Sequence, residues 1–298
     1  MEHIPNHLKL ISGLQFLSFQ GAEIALDYQC ETEQPTHLLV LVNGFQRNRL
    51  DYRAFRKKWA KIAPHVATVA FDNRYCGETN VNAEALFSLE TMVQDTHAVA
   101  SVFMEKLNLK TFSLLGISMG GMIAQTLASL LPYGTLDNLF LVSTTCGGIG
   151  RTWSKPVENP SALKYENKNV DLESTKKNMS YFFAEKFLKN SPLLFEMMCK
   201  SMLISKEKGD KNNNTDKAAS KQFSVSVTFD RAQFLNQISA KKTCIFSGDE
   251  DKIIPYANSL YLNQHIPGST LITYKDVGHL ILIEEPEQFV QDVGSYFL

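Results

Sequence analysis

The segment LLGISMGGMIAQ, residues 114–125, puts Ser118 between Gly116 and Gly120, after an apolar run and before a helix-like stretch. A Gly-x-Ser-x-Gly string arises by chance in about one chain in ten of this length, so the string alone is weak evidence. Its context is more informative, because the string lies between a strand-like run and a helix-like stretch, which is the setting of a serine nucleophile in a strand-turn-helix unit. Glycines on either side leave room for a strained turn that exposes the hydroxyl. The segment predicts a nucleophile elbow with Ser118 at its apex.

Apolar runs that end in turn residues recur along the chain. They are HLLVLVNG (37–44), VATVAFDN (66–73), FSLLGIS (112–118), NLFLVST (138–144), TCIFSGD (243–249) and TLITYKD (270–276). Such runs are typical of parallel strands covered on both faces. Helical patterns alternate with them, as in 89–107 behind a Ser88 cap. The alternation predicts an α/β fold, with a mostly parallel central sheet and helices on both faces. Before it, residues 8–19 and 20–28 predict a hairpin that turns near Gly21.

The strand-helix alternation fails between residues 148 and 238. This stretch carries aromatic and methionine side chains at helical spacing, and the polar segment KEKGDKNNNTDK at 206–217. We predict a helical cap, 148–238, inserted into a core formed by 1–147 and 239–298. The apolar side chains of the cap are either an acyl pocket or plain cap core. The candidates for the pocket, with one cysteine that follows a predicted strand, are Cys146, Phe182, Phe183, Met197, Met198 and Met202.

Composition narrows the classes of partner. The 298 residues carry a formal net charge of −1 and no long basic run, which argues against a nucleic-acid or anionic membrane surface. No apolar run is long enough to span a bilayer, and the amino-terminal residues do not resemble a signal peptide. The five cysteines lack the spacing of a zinc site or a redox motif. We expect a cytoplasmic protein with a small-molecule partner and no metal; the oligomeric state is open.

A serine hydroxyl needs a base, and the base needs an acid that orients it. His279 follows a predicted strand in DVGHLILIEEP, whereas the other histidines lie near the terminus, at strand starts, or in helices and loops. Asp251 follows another predicted strand in GDEDKIIP, so the order serine, acid, histidine is the one this architecture requires. Asp249 is the alternative acid, because an extended loop would direct both side chains the same way. Glu250 would point oppositely.

Four motifs together resemble the α/β-hydrolase superfamily over essentially the full chain: GISMGG, GDEDKIIP, GHLILIEEPEQF and FDNRYCGET. The resemblance is closest to its esterase, enol-lactonase and perhydrolase branch. It implies Ser118 as nucleophile, His279 as base and Asp251 as its orienting acid, without any cofactor. Two features depart from the family pattern. They are Asn43 where a histidine is usual, and the pair Tyr75 and Cys76, which we expect to be structural.

The oxyanion hole that the resemblance implies consists of backbone N–H groups. Met119 supplies one at the start of a predicted helix, where the helix dipole favours a developing negative charge. The loop VNGFQRN supplies the other from Phe45. The sequence thus predicts a serine hydrolase that cleaves a carboxylic ester, lactone or thioester through an acyl-enzyme. The alternatives are an acyltransferase with the same triad, and a ligand-binding protein on a hydrolase fold.

Overall fold

Parallel strands form the centre of the sheet, as the continuous apolar runs predict. The structure, a computed structural model, describes residues 8–82, 84–153, 171–207 and 215–298. The strands of the described residues are β1 (Leu14–Phe19), β2 (Ala22–Gln29), β3 (His37–Val42), β4 (Val66–Phe71), β5 (Asn80–Val81), β6 (Phe112–Ile117), β7 (Leu136–Val142), β8 (Lys242–Gly248) and β9 (Thr270–Tyr274). They form one sheet in the order β1-β2-β4-β3-β6-β7-β8-β9, and β5 pairs with β2. The pairs from β4 through β3 and β6 to β9 are parallel, whereas β1, β2 and β5 pair antiparallel.

The helices of the described residues connect these strands or follow them. They are α1 (Arg53–Ile62), α2 (Leu89–Leu107), α3 (Met119–Leu130), α4 (Leu172–Ser180), α5 (Glu185–Asn190), α6 (Pro192–Glu207), α7 (Thr215–Thr228), α8 (Ala257–His265), α9 (Ile281–Glu284) and α10 (Pro286–Gly294). The predicted helix at 89–107 and its cap are confirmed. The Ser88 side chain accepts from the Thr91 N–H, and the Thr91 side chain accepts from the Ser88 N–H, which completes a capping box.

Helices cover both faces of the sheet, because successive residues of a strand point to opposite faces. Leu38 and Val40 of β3 belong to a buried cluster that includes apolar side chains of α2 and α3. Leu39 and Leu41 belong to a second cluster that includes side chains of α1 and α10. The predicted α/β class is therefore confirmed, and it explains why β3 is apolar at every position after its first.

The amino-terminal hairpin forms with a later start than predicted. Its turn is at Gln20 and Gly21, whose φ angles of 44° and 72° lie in the left-handed region. The first strand begins at Leu14 rather than at Leu8. Leu8 is nevertheless buried in the main core, because it packs there from outside the sheet. Burial, and not strand pairing, accounts for the apolar residue at this position.

The predicted cap region contains α4 to α7 and, among its described residues, no strand of the sheet. A third apolar cluster holds α4, α5 and α6 together around Met179, Phe183, Phe187 and Cys199. The segment 181–183 is a turn between α4 and α5, which corrects the expectation that its aromatic residues are helical. The polar segment 206–217 is helical at both ends, and its middle lies outside the described residues. The domain boundaries stay a prediction.

Candidate active site

Ser118 is at the apex of a tight turn between β6 and α3. Its φ of 55° and ψ of −117° are strained for a residue with a side chain. Its backbone is fixed from both sides: its N–H donates to the Val142 carbonyl at 2.9 Å, and its carbonyl accepts from the Thr144 hydroxyl at 2.7 Å. The Ser118 side chain is half-buried and makes no capping hydrogen bond to the helix. Its hydroxyl is therefore available for chemistry.

The glycines of the motif are required by close backbone contacts. A Cβ atom on Gly116 would lie 2.3 Å from the Gly120 carbonyl oxygen, and one on Gly120 would lie 2.2 Å from the Val42 carbonyl oxygen. Both separations are far below van der Waals contact. The missing side chains let β6, α3 and the end of β3 approach one another, and this approach shapes the turn around Ser118.

We expect Gly120→Ala to lower the free energy of unfolding by about 3 kcal/mol or more, because rigid backbone would have to move. Gly134→Ala is the control, since a Cβ there meets nothing within 4 Å and only its φ of 89° opposes the change. We expect it to cost about 1 kcal/mol. Urea unfolding of both variants measures the difference, and equal losses would contradict the steric explanation.

His279 and Asp251 form a buried pair beyond the carboxyl ends of β9 and β8. The His279 Nδ1 atom lies 2.7 Å from Asp251 Oδ2, and the residues are 3% and 6% exposed. The second carboxylate oxygen accepts from the Ile253 and Ile254 N–H groups at 2.8 and 2.9 Å. These donors fix the carboxylate, and the carboxylate in turn fixes the imidazole. The other ring nitrogen, Nε2, remains on the opposite edge of the ring.

The other two acids of GDEDK face different partners. Asp249 Oδ1 accepts from the Asp276 N–H at 2.7 Å. Glu250 Oε2 accepts from the Glu185 N–H at 3.3 Å, at the start of α5. The structure therefore brings Asp251 to His279, and uses Asp249 and Glu250 to hold neighbouring loops.

The loop after β3 lies against the serine. A Cβ atom on Gly44 would be 3.2 Å from the Ser118 Cβ. Asn43 is buried, and its carbonyl accepts from the Asn73 side-chain amide at 3.0 Å. Within the described ranges, neither the Phe45 N–H nor the Met119 N–H donates to another backbone group. Two backbone donors thus remain free on the two segments that flank Ser118.

The turn between α4 and α5 packs onto the histidine. The Phe182 ring meets the His279 ring edge-on at 5.8 Å between centroids, and the Phe182 carbonyl accepts from the His279 N–H at 2.9 Å. Glu284 joins the same two segments, because its carboxylate accepts from the Gly278 N–H at 3.0 Å and from the Ala184 N–H at 3.1 Å. The predicted cap region and the histidine loop are thereby linked by hydrogen bonds.

Burial raises the pKa of Glu284 to about 7, although the two backbone donors act in the opposite direction. The nearby carboxylates of Asp251 and Glu250 raise it further. The folded state binds the Glu284 proton more tightly than the unfolded state does. The contribution of this proton to the free energy of unfolding is therefore complete below the ordinary glutamate pKa of 4.5, and it is lost as the pH rises to about 7.

We therefore expect the free energy of unfolding of wild type, relative to Glu284→Gln, to decrease as the pH rises through this window. Urea unfolding at a series of pH values measures it. Glu287→Gln is the control with the opposite sign, because the bond with Lys58 lowers the pKa of Glu287 and its contribution is lost only in acid. A difference between wild type and Glu284→Gln that is independent of pH would contradict the prediction.

The pocket candidates occupy different environments. Cys146 and Phe183 are fully buried, the first in the main core and the second stacked on Phe187 in the cap cluster. Burial raises the pKa of Cys146 to about 11, so its thiol is not nucleophilic at neutral pH.

Phe182, Met198 and Met202 are partly buried against the cap cluster. Met197 is 67% exposed, which separates it from any enclosed acyl pocket.

Sequence reasoning missed two residues that hold the site. Glu284 comes directly after the apolar run that follows His279 and is adjacent to Glu285, so no local pattern distinguishes the two glutamates. Gln222 accepts from the Gln46 N–H beside the loop after β3. No local pattern marks it, because the contact joins distant parts of the chain.

No group of His, Cys, Asp or Glu side chains that could hold a metal ion occurs among the described residues. In the same part of the chain, no helix combines the length and the apolar character needed to cross a membrane.

A family model described as the alpha/beta hydrolase fold matches residues 38–286, which include Ser118, Asp251 and His279. The chain belongs to this family. The resemblance inferred from the four motifs is confirmed at the level of the superfamily. The turn between β6 and α3 at Ser118 thus corresponds to the strand-turn-helix unit of the α/β-hydrolase fold.

Similar proteins include one curated relative of this α/β hydrolase. A Klebsiella pneumoniae protein named 2-hydroxy-6-oxononadienedioate/2-hydroxy-6-oxononatrienedioate hydrolase is 30% identical over 193 residues. The match spans 64% of this chain and 64% of the relative, just under two thirds of its length.

Two solved structures show the same fold at low sequence identity. An esterase from Exiguobacterium antarcticum has a TM-score of 0.73 at 18% identity, covering 96% of this chain and 99% of its own. A meta-cleavage product hydrolase from Pseudomonas fluorescens IP01 has a TM-score of 0.71 at 16% identity, covering 93% and 95%. At these identities the likeness concerns the fold alone.

Proposed function

We propose that this protein is a serine hydrolase that cleaves a carboxylic ester, lactone or thioester through an acyl-enzyme. The observation that carries the proposal is the strained turn at Ser118, combined with a buried Asp251–His279 pair in the required chain order. Ser118 would attack the carbonyl carbon while His279 Nε2 accepts its proton. Asp251 holds the tautomer that leaves Nε2 free to do so.

The Phe45 and Met119 N–H groups would bind the oxygen on which negative charge develops. Their freedom from other backbone acceptors supports this role. His279 would then pass its proton to the leaving group, and would next remove a proton from the water that attacks the acyl-enzyme. The Phe182 ring against His279 would form an apolar wall on the side of the cap, which favours an acyl or alkyl group there.

A second candidate is suggested by the curated relative. Its name is that of a hydrolase of 2-hydroxy-6-oxo dioates, and 30% identity makes a substrate of that class worth testing. Hydrolysis at a ketone of such a compound breaks a carbon–carbon bond. It would use the same oxyanion donors, because a tetrahedral oxyanion forms in both reactions.

One experiment separates these candidates. Purified protein is incubated with p-nitrophenyl esters of graded chain length, lactones, thioesters and a 2-hydroxy-6-oxo dioate, and the products are identified. The proposal predicts turnover of one of the first three classes. Preference for the dioate would favour the second candidate. A transfer product that outcompetes hydrolysis when alcohols, amines or thiols are added would identify an acyltransferase, and no turnover at all would indicate a binding protein.

A further inference from the structure

Three consecutive residues of α7 contact two loops at the carboxyl ends of the parallel strands, the end of the sheet at which Ser118 lies. Lys221 Nζ is 3.2 Å from the Tyr75 hydroxyl and lies 4.7 Å from the centre of its ring. Gln222 is fully buried and reaches both loops. Phe223 meets the Phe45 ring at 6.3 Å. A short part of α7 therefore contacts the loop after β3 and the loop after β4 together.

The Gln222 carboxamide makes hydrogen bonds to both of these loops. Its Oε1 accepts from the Gln46 N–H at 2.9 Å. Its Nε2 donates to the Arg74 carbonyl at 2.8 Å and to Cys76 Sγ at 3.1 Å. The orientation of the amide is determined by its partners, because a backbone N–H can only donate and a backbone carbonyl can only accept. In a fully buried site, these bonds hold the carboxamide in one position.

The Gln46 peptide needs such support. Gln46 has a φ of 52°, in the left-handed region that side chains disfavour. Its N–H belongs to the peptide that follows Phe45, so the Gln222 bond restrains the rotation of that peptide. The Phe45 N–H, which we have proposed as an oxyanion donor, is on the neighbouring peptide. Its direction depends on the same few dihedral angles.

From these contacts we infer that Gln222 is a positioning residue, which reaches from α7 to fix the loop after β3 so that the Phe45 N–H points to the oxyanion. The inference rests on the proposed function. It also assigns a purpose to Cys76, because its sulfur is one of the acceptors that orient the carboxamide. The residues that depart from the family pattern, Tyr75 and Cys76, are then the docking surface for Lys221 and Gln222.

A positioning role predicts a particular kinetic effect. An oxyanion donor binds the transition state more tightly than the substrate, so losing its alignment lowers kcat and leaves KM nearly unchanged. Removal of a complete donor costs about 10²- to 10³-fold in kcat, and misalignment costs less. For Gln222→Met, which keeps the volume and removes the hydrogen bonds, we expect kcat to fall about 10- to 100-fold. Affinity for an alkyl boronic acid, which mimics the tetrahedral state, should fall in parallel.

The test compares Gln222→Met with Lys221→Met, which loosens the contact of α7 with Tyr75 but leaves the Gln46 N–H bonded. The role is supported if only Gln222→Met lowers kcat and speeds hydrogen exchange at the Gln46 amide. It is overturned if kcat is unchanged, if both variants lose activity equally, or if the amide stays as protected as in wild type. Should Gln222→Met fail to fold, Gln222→Asn, one methylene shorter, must show the same loss confined to kcat. A wild type without turnover or fluorophosphonate labelling contradicts the proposed function itself, and the oxyanion role falls with it.

Discussion

Ser118→Ala is expected to abolish labelling by a fluorophosphonate and to lower kcat for the best substrate by about 10⁴- to 10⁶-fold. The reason is that the Ser118 hydroxyl is the atom that would form the covalent bond, and no other group in the turn can replace it. Residual turnover would come from the oxyanion donors and from binding alone. Peptide mapping of the wild-type adduct and steady-state kinetics of the variant measure both effects.

The control for this prediction is Ser129→Ala, on the same helix as the turn. The Ser129 hydroxyl donates to the Thr126 carbonyl inside α3 and lies far along the helix from its amino terminus. We expect its labelling and kcat to match those of wild type. An adduct on a serine other than Ser118, or undiminished turnover by Ser118→Ala, would show that the elbow is only a structural turn.

Local patterns predicted the parts of this molecule that depend on local physics. The apolar runs located the parallel strands because a strand buried on both faces is apolar at most of its positions. Ser88 marked the start of α2 because a helix leaves its first N–H groups without backbone partners. The turn at Ser118 was predictable because glycine is required on both sides of it, and because the string lies between an apolar run and a helical pattern.

The remainder depends on contacts between distant segments, which no local pattern records. Gln222 acts through hydrogen bonds to backbone groups of distant loops. Glu284 joins the nearby Gly278 N–H to the Ala184 N–H, which is 100 residues away. Met197 has the helical spacing of its apolar neighbours, yet it faces outward. Phe183 has the same residue type as Phe182 but fills the cap cluster. Spacing identifies a helix face, but tertiary packing decides what covers it.

The acid that we propose for the triad provides the second large effect. Asp251→Asn is expected to lower kcat by about 10⁴-fold, with the fold retained. Asp249→Asn and Glu250→Gln should be much milder, because their carboxylates bond to the Asp276 and Glu185 N–H groups instead of the histidine. Kinetics and urea unfolding of the three variants, measured side by side, separate a catalytic loss from a loss of stability.

The structure explains why an asparagine would be so damaging at this position. Asp251 Oδ1 accepts from the Ile253 and Ile254 N–H groups, so an asparagine oxygen would keep that place. Its NH₂ group would then face His279 Nδ1, where the carboxylate now lies at 2.7 Å. A donor there makes Nδ1 the acceptor and puts the ring proton on Nε2, the nitrogen that must accept the proton of Ser118.

The asparagine variant would therefore fold with an almost unchanged site and the wrong histidine tautomer. We expect no recovery of activity at high pH, because His279 in this variant already carries a single ring proton and that proton is on the wrong nitrogen. If Asp249→Asn alone is crippling while Asp251→Asn stays near wild type, the orienting acid is Asp249. The Asp251–His279 hydrogen bond would then hold the loop without serving the chemistry.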